Sequence, residues 1–188
     1  MKSSYKILGV DPGTVSLGYA VVEVNGNDIS LTCVGTIELK KFPDHQIKLK
    51  EIYLQLQEII ETYLPTQMAV ESPFYGKNVQ SMLKLGRAQG VSIAAGITMG
   101  LNIVEYAPKK IKQSITGNGN ASKEQVFSMV QAMINKDLSE ISLDASDALA
   151  TAITHYHQSK FGVPASSSKG GNSWKSFITN NPERVSNK

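Results

Sequence analysis

Apolar residues along the chain fall into short runs with two different periods. The first run, YKILGVD at residues 5–11, ends in an acid, and residues 18–24 and 29–38 alternate or cluster β-branched side chains, as strands do. Between the last two, VNGND supplies Asn and Gly, which accept positive φ, so these strands are expected to pair as a hairpin. From 45 to 63, Ile47, Leu49, Ile52, Leu54, Leu56, Ile59 and Ile60 recur at helical spacing until Pro65 stops the pattern. A fourth strand, QMAVE at 67–71, again ends in an acid, and a long helix is expected over 78–99. A fifth strand at 102–107, a helical turn at 109–114, a Gly/Asn loop at 117–120 and a helix over 122–135 follow, with Ser122 as its N-cap. The last helix is expected from 143 or 144 to about 158. An antiparallel opening followed by alternating helix and strand predicts an α/β fold whose fourth and fifth strands lie parallel to the first.

Composition narrows the class without naming a function. At 188 residues with 41% hydrophobic and 19% charged residues, the chain suits one core of ordinary size. One domain over 1–160 is expected; beyond it, residues 161–188 turn to Gly, Ser, Asn, Pro and Lys, the composition of a flexible polar tail. The single cysteine, Cys33, sits in a strand pattern and has no second cysteine for a disulfide or a zinc site, which fits packing in a reducing compartment. No secretory h-region opens the chain, and the most apolar stretch, 90–104, is shorter than the roughly 20 residues that span a bilayer. A soluble cytoplasmic protein is expected, with no membrane partner.

Charge is uneven. Residues 1–71 carry six Lys or Arg against nine Asp or Glu, 72–136 carry eight against two, and 137–188 carry five against five. A basic middle third between acid-bearing segments suits a polyanion held beside a carboxylate site, and it equally describes a solvated lysine face. In the long helix, Ala88, Gly90, Ala94, Ala95 and Gly96 form a small-residue stripe that suits either a second subunit or packing on the sheet.

The candidate chemistry lies in four acids. Asp11 and Glu71 each end a strand, and ligands of α/β sheets collect at the carboxyl ends of strands. Asp144 and Asp147 stand three apart on one face of the last helix, near its start. Singly, each has an ordinary reading: a turn former, an exposed strand end, an N-cap, a first-turn acid complementing the helix dipole. Gathered at one sheet edge they repel unless a cation joins them, and hard oxygen donors favour Mg2+, or Mn2+ in its place. His155 lies roughly 16 Å along the helix from Asp144, too far to share that site, so His155 and His157 are read as structural.

ILGVDPGTVSLGYAVVE, ESPFYGKNVQSMLKLGRAQGV, YAPKKIKQSITGNGNASKEQV and DASDALATAITHYH follow one another, and in this order they resemble the RuvC family of Holliday junction resolvases from residue 5 to about 158. The resemblance implies a ribonuclease-H-like fold with a mixed five-stranded sheet flanked by helices, and a homodimer that nicks four-way junctions symmetrically. Mg2+-dependent hydrolysis would leave 5′-phosphate and 3′-hydroxyl ends. It assigns Asp11, Glu71, Asp144 and Asp147 to two metal ions, and Lys112 and Lys123 to the scissile phosphate or the DNA beside it. Phe74, on a loop stiffened by Pro73, falls on the aromatic that opens base pairs at the junction centre. Further DNA contacts are expected from Lys77, Asn78, Lys84, Arg87, Lys109 and Lys110, and RuvA and RuvB are the implied protein partners. Competing readings are another ribonuclease-H-like nuclease, a catalytically silent junction-binding module, and an actin-like ATPase. The last shares D-x-G-T-x-x-x-G at 11–18, but the chain lacks the second Asp-Gly loop and the duplicated length.

Overall fold

The computed structural model describes residues 4–73 and 78–161; Phe74, Lys77 and the 162–188 segment lie outside the described residues. Strands β1 (Ser4–Asp11), β2 (Ser16–Asn25) and β3 (Asp28–Glu38) form an antiparallel meander. The turn between β2 and β3 places Gly26 at φ 64°, a conformation that costs glycine nothing. Helix α1 (His45–Tyr63) follows, capped by Asp44, whose carboxylate accepts from the Ile47 amide. Then come β4 (Gln67–Glu71), α2 (Val79–Thr98), β5 (Asn102–Tyr106), α3 (Pro108–Thr116), α4 (Lys123–Ile134) and α5 (Leu143–Phe161). Ser122 caps α4 in a reciprocal capping box with Gln125, as the sequence suggests.

The sheet order is β3-β2-β1-β4-β5, with β4 parallel to β1 and β5 parallel to β4. Asp11 and Glu71 therefore end adjacent strands at one edge of the sheet, as expected for a mixed sheet with three antiparallel strands leading.

Alternation along β1 divides the core. Leu8 and Val10 join Ile52, Leu56, Met68, Val70, Ala88 and Ala95 under α1 and α2. Ile7 joins Ala69, Val126, Val130, Leu149 and Ile153 under α3, α4 and α5. Strands β3 and β4 run toward the acid edge, so the helices that follow them, α1 and α2, begin there. Helix α5 begins at the same edge, with Asp144 over Gly18 of β2.

Helix α5 lies directly on the strands because two strand positions lack side chains. A Cβ on Gly9 would run into the Ala148 carbonyl and the Ala152 methyl, and one on Gly18 into the Asp144 carbonyl. Glycine inside a strand often marks such a close backbone approach. His155 is buried under α5, with its Nδ1 paired to the Tyr106 hydroxyl at 2.8 Å and its Nε2 to Gln67 Oε1 at 2.9 Å. Because Gln67 Oε1 can only accept, Nε2 carries the proton and Nδ1 accepts from Tyr106. This satisfied pairing supports the structural reading of His155. His157 sits beside Ser114 at 3.4 Å.

The small-residue stripe on α2 divides between its two expected roles. Ala88, Ala95 and Gly96 are buried, and a Cβ on Gly96 would strike Met68 and Ile103. Gly90 faces open space, and Ala94 is exposed.

Candidate active site

Four carboxylates meet at the acid edge, each delivered by a different local cause. Asp11 and Glu71 arrive through the β1–β4 pairing. Asp144 and Asp147 arrive because Gly18 lets the first turn of α5 rest on β2, next to Asp11. Asp144 is not the helix cap: Ser142 takes that role, its Oγ accepting from the Ala145 amide at 3.1 Å. Asp144 instead accepts a hydrogen bond from the Ser16 hydroxyl at the start of β2.

The acids feel one another. Burial, with the charges of Asp147 and Asp144, pushes Asp11 up to about 7. Burial, with the charges of Asp11 and Asp147, pushes Glu71 up to about 8, against the opposing pull of Lys123 and Lys112. Carboxyl groups half-protonated near neutral pH are what close packing of like charges produces when no cation is bound. Their bland readings as turn former or exposed strand end do not account for this.

Cations line the same cleft, which holds about 430 Å³ between Asp11, Glu71, Asp147, Lys109, Lys112 and Lys123. Lys123 Nζ donates to Asp147 Oδ2 at 2.7 Å, an ion pair that raises the lysine's own pKa. Lys112 Nζ donates to the Ala121 carbonyl at 2.7 Å, which holds the amine beside the acids. The two lysines singled out in the sequence thus reach the acid cluster. Lys109 joins them in the cleft, whereas Lys110, next to it on α3, is exposed and does not line it. Asn78 spends its carbonyl on capping α2, accepting from the Ser81 amide. Lys84 and Arg87 lie on α2, across the sheet from the cleft lysines.

A protein-family model described as crossover junction endodeoxyribonuclease RuvC matches residues 7–155, which include all four acids and both lysines. The chain belongs to the RuvC family. The RuvC of Bacteroides fragilis is 51% identical over 181 residues, covering 95% of each chain, and that of Porphyromonas gingivalis is 48% identical, covering 95% of this chain and 96% of its own. A solved structure of Thermus thermophilus RuvC in complex with a Holliday junction substrate superposes with a TM-score of 0.78 at 28% identity, covering 84% of this chain and 96% of that one. The ribonuclease-H-like fold expected from the resemblance is the fold observed, and the chain is an enzyme, a metal-dependent nuclease like the rest of the RuvC family.

The donor set suits the metal this RuvC chain requires. Among the described residues no three acid, histidine or cysteine side chains close on a single point, because Asp147 is turned to Lys123 and Asp144 to Ser16. Mg2+ is bound through one or two carboxylates with water and phosphate filling its other positions, so a looser set of four acids fits it. Rotation of Asp147 off Lys123 frees a further oxygen.

Ser16 escaped the sequence reading. Its signal was its place at the start of β2, one strand end away from Asp11, but which acid it meets depends on how α5 docks. A hydroxyl that orients a ligand typically matters 10- to 100-fold in metal affinity. Ser16→Ala is expected to weaken Mn2+ binding about tenfold by calorimetry, with Ser16→Thr close to the parent. Equal affinity in the alanine variant would restrict the hydroxyl to packing.

Proposed function

We propose that this chain works as a homodimer that resolves four-way DNA junctions, nicking two strands of like polarity at symmetric positions. The observation that carries this reading is the cleft in which Asp11, Glu71 and Asp147 meet Lys112 and Lys123, with Asp144 beside it at the same sheet edge, in a RuvC-family chain. Asp11, Glu71, Asp144 and Asp147 are the groups that would hold two Mg2+ ions, with Mn2+ an accepted substitute. When bound, the ions activate the attacking water and stabilise the leaving 3′-oxygen, which yields 5′-phosphate and 3′-hydroxyl ends.

The chain's own residues do the remaining work. Lys112, fixed by the Ala121 carbonyl, offers its free N–H bonds to a phosphate oxygen beside Glu71. Lys123, paired with Asp147, is placed to pass its N–H bonds to an incoming phosphate, and Asp147 would then be free to serve among the groups that hold the metal. Ile111 and Val126 form an apolar wall of the cleft, lowering the local dielectric so that each of these charges counts for more. Lys109, Lys110 and Asn78 extend the DNA contact, and Phe74 and Lys77 are proposed to act at the junction centre. Selectivity then comes mainly from junction shape and ease of unpairing.

The dimer reading is supported by α2. Val79, Leu83 and Ile97 are exposed to 66%, 53% and 60%, and with Gly86, Gly90 and Ala94 they recur every three or four residues along one face. Added Cβ atoms on Gly86 and Gly90 meet nothing within 4 Å, so a second helix can approach closely there. Leu83→Glu with Gly90→Glu is expected to shift the protein to monomer in sedimentation equilibrium at micromolar concentration and to uncouple the two nicks. A dimer that survives both changes places the interface elsewhere. RuvA and RuvB are proposed as partners and the cytoplasm as location, a reading that family membership supports. Among the described residues no helix is long and apolar enough to cross a membrane.

The test of the whole reading is cleavage of a synthetic mobile junction, with each strand labelled in turn, in Mg2+ and in EDTA. Paired, symmetric, Mg2+-dependent nicks are expected. Equal cutting of duplex, flap and RNA–DNA hybrid would point to a broader ribonuclease-H-like nuclease, and binding without product to a silent module.

A further inference from the structure

The outer edge of β3 and the groove beside it take no part in the cleft chemistry. Strand β3 has 11 residues and stands last in the strand order, so no strand pairs with its outer side among the described residues. Long open edges invite other chains to add to the sheet, and proteins commonly block or cover them. Lys136 blocks one place, donating from Nζ to the Leu31 carbonyl at 3.2 Å. Farther along, the strand borders a groove of about 300 Å³ against α1, lined by Tyr19, Thr36, Gln55, Glu58, Thr62 and Tyr63 among others. Gly35 gives this groove an open floor, since it has no side chain and the Tyr19 hydroxyl lies 2.8 Å from where a Cβ would stand. Cys33 packs on the same cluster as Tyr19 and Tyr63, and a hydrogen bond with its thiol raises the Tyr63 pKa.

The chain carries an occupant of suitable length, charge and chemistry. Tyr156 Oη donates to the Asn27 carbonyl at 2.6 Å, so the last turns of α5 lie at the β2–β3 turn, where β3 begins. Residues 162–188 follow from there and lie outside the described residues. Residues 162–173, GVPASSSKGGNS, are rich in Gly and Ser, and WKSFI at 174–178 then brings Trp174, Phe177 and Ile178 together. A linker of that length and composition has an r.m.s. span of about 20 Å and a limit of about 40 Å. Along β3, Gly35 lies roughly 27 Å from Asn27 at the usual strand rise, within that reach. Charge agrees: Lys169, Lys175, Arg184 and Lys188 stand against Glu183 alone in 162–188, and Glu58 is exposed on the rim of the groove. The match to the Bacteroides fragilis relative covers 95% of this chain, too much to stop short of Trp174 and Phe177, whereas the family model ends at residue 155. A second copy of the chain is already assigned to the outer face of α2, which packs over β4 and β5 at the other end of the strand order.

We propose that the 174–178 segment of this same chain docks in the groove between α1 and the outer edge of β3, with the Trp174 ring against Tyr19 and Tyr63 and Lys175 beside Glu58. Buried aromatic side chains carry most of the energy of such contacts. The docked segment covers the edge from Cys33 to Ile37 and keeps another sheet from adding there. This goes beyond the nuclease reading and does not depend on it.

Trp174 is the single tryptophan and Cys33 the single cysteine of the chain, so each side of the contact has its own probe. The test measures Trp174 emission with acrylamide quenching, and the rate at which Cys33 reacts with a thiol reagent, in the full chain. Emission is expected to be blue-shifted and shielded in the parent relative to the chain in urea, and to become solvent-exposed in Glu58→Lys with Thr62→Lys. Both of those positions are exposed on α1, so the fold should survive, which circular dichroism checks. Trp174→Ala with Phe177→Ala should speed Cys33 modification roughly tenfold, as expected when a covering segment that is closed most of the time is lost. Trp174→Phe should stay close to the parent rate. A Trp174 as exposed in the folded parent as in urea overturns the proposal. So does shielding that survives the Glu58/Thr62 pair while the Cys33 rate stays unchanged in the Trp174/Phe177 pair, which would seat the segment elsewhere. Shielding that vanishes on dilution overturns it as well, because the contact would then lie between chains.

Discussion

Asp11→Asn is expected to abolish junction cleavage while making the metal-free protein more stable. Asp11 sits where β1 meets α5, partly buried and facing three other acids, and its proton is held up to about 7 by burial and by Asp147 and Asp144. Replacing the carboxylate by an amide of the same shape removes one repelling charge. In EDTA at pH 8, thermal unfolding should therefore show a gain on the order of 1 kcal/mol. The same change removes an oxygen that Mg2+ needs. Losing about 4 kcal/mol of transition-state stabilisation corresponds to roughly a thousandfold in rate. A variant that cuts as fast as the parent would remove Asp11 from the site, and one that loses stability in EDTA would show that the acids are held by something other than mutual repulsion.

The parent protein carries the matching pH signature. Asp11 titrates near 3.8 when unfolded and about 7 when folded, and Glu71 near 4.5 and about 8. Between about pH 4 and 8 the folded state thus binds more protons than the unfolded one, so stability falls as pH rises. Without metal, the melting temperature should drop across this window, because the contribution present below pH 4 is lost as pH passes the folded values. With Mg2+ the drop should shrink or reverse, since the ion binds the deprotonated acids. Melting curves in EDTA and in Mg2+ at pH 5 and pH 8 check both signs, and parallel curves would contradict the shared-field picture.

The second large effect is expected from a methyl group placed where no titratable atom lies. Gly18→Ala puts a Cβ into the Asp144 carbonyl, and Gly9→Ala puts one into the backbone of α5 at Ala148 and Ala152. Backbone cannot rotate aside as a flexible side chain can, so the helix must lift. Each substitution is expected to cost about 3 kcal/mol in denaturant unfolding. Lifting α5 at Gly18 also withdraws Asp144 and Asp147 from Asp11, so residual folded protein should lose Mn2+ affinity at least tenfold. The control is Gly90→Ala on the outer face of α2, where nothing stands within 4 Å; its monomer stability should hold or improve through helix propensity. Unaltered metal binding in folded Gly18→Ala would mean that the acids do not depend on how closely α5 docks.

The amino-acid sequence by itself determined the elements and the acids. Strand alternation, the Asn-Gly turn, Pro65 and the Ser122 cap are local signals, set by side-chain periodicity and backbone preference within a few residues. They place every strand and helix within a few positions of where it lies. Asp11 and Glu71 were legible because each closes an apolar strand, and Asp144 and Asp147 because a spacing of three puts both on one helical face. Tertiary structure alone decided which partners these acids have: Ser16 for Asp144, Lys123 for Asp147, and one another for the rest. It also separated the α2 stripe into Ala88, Ala95 and Gly96 against the sheet and Gly90 and Ala94 toward solvent. These outcomes depend on contacts between segments tens of residues apart. The glycines at 9 and 18, which let a helix lie on bare backbone, set distances that no local pattern encodes.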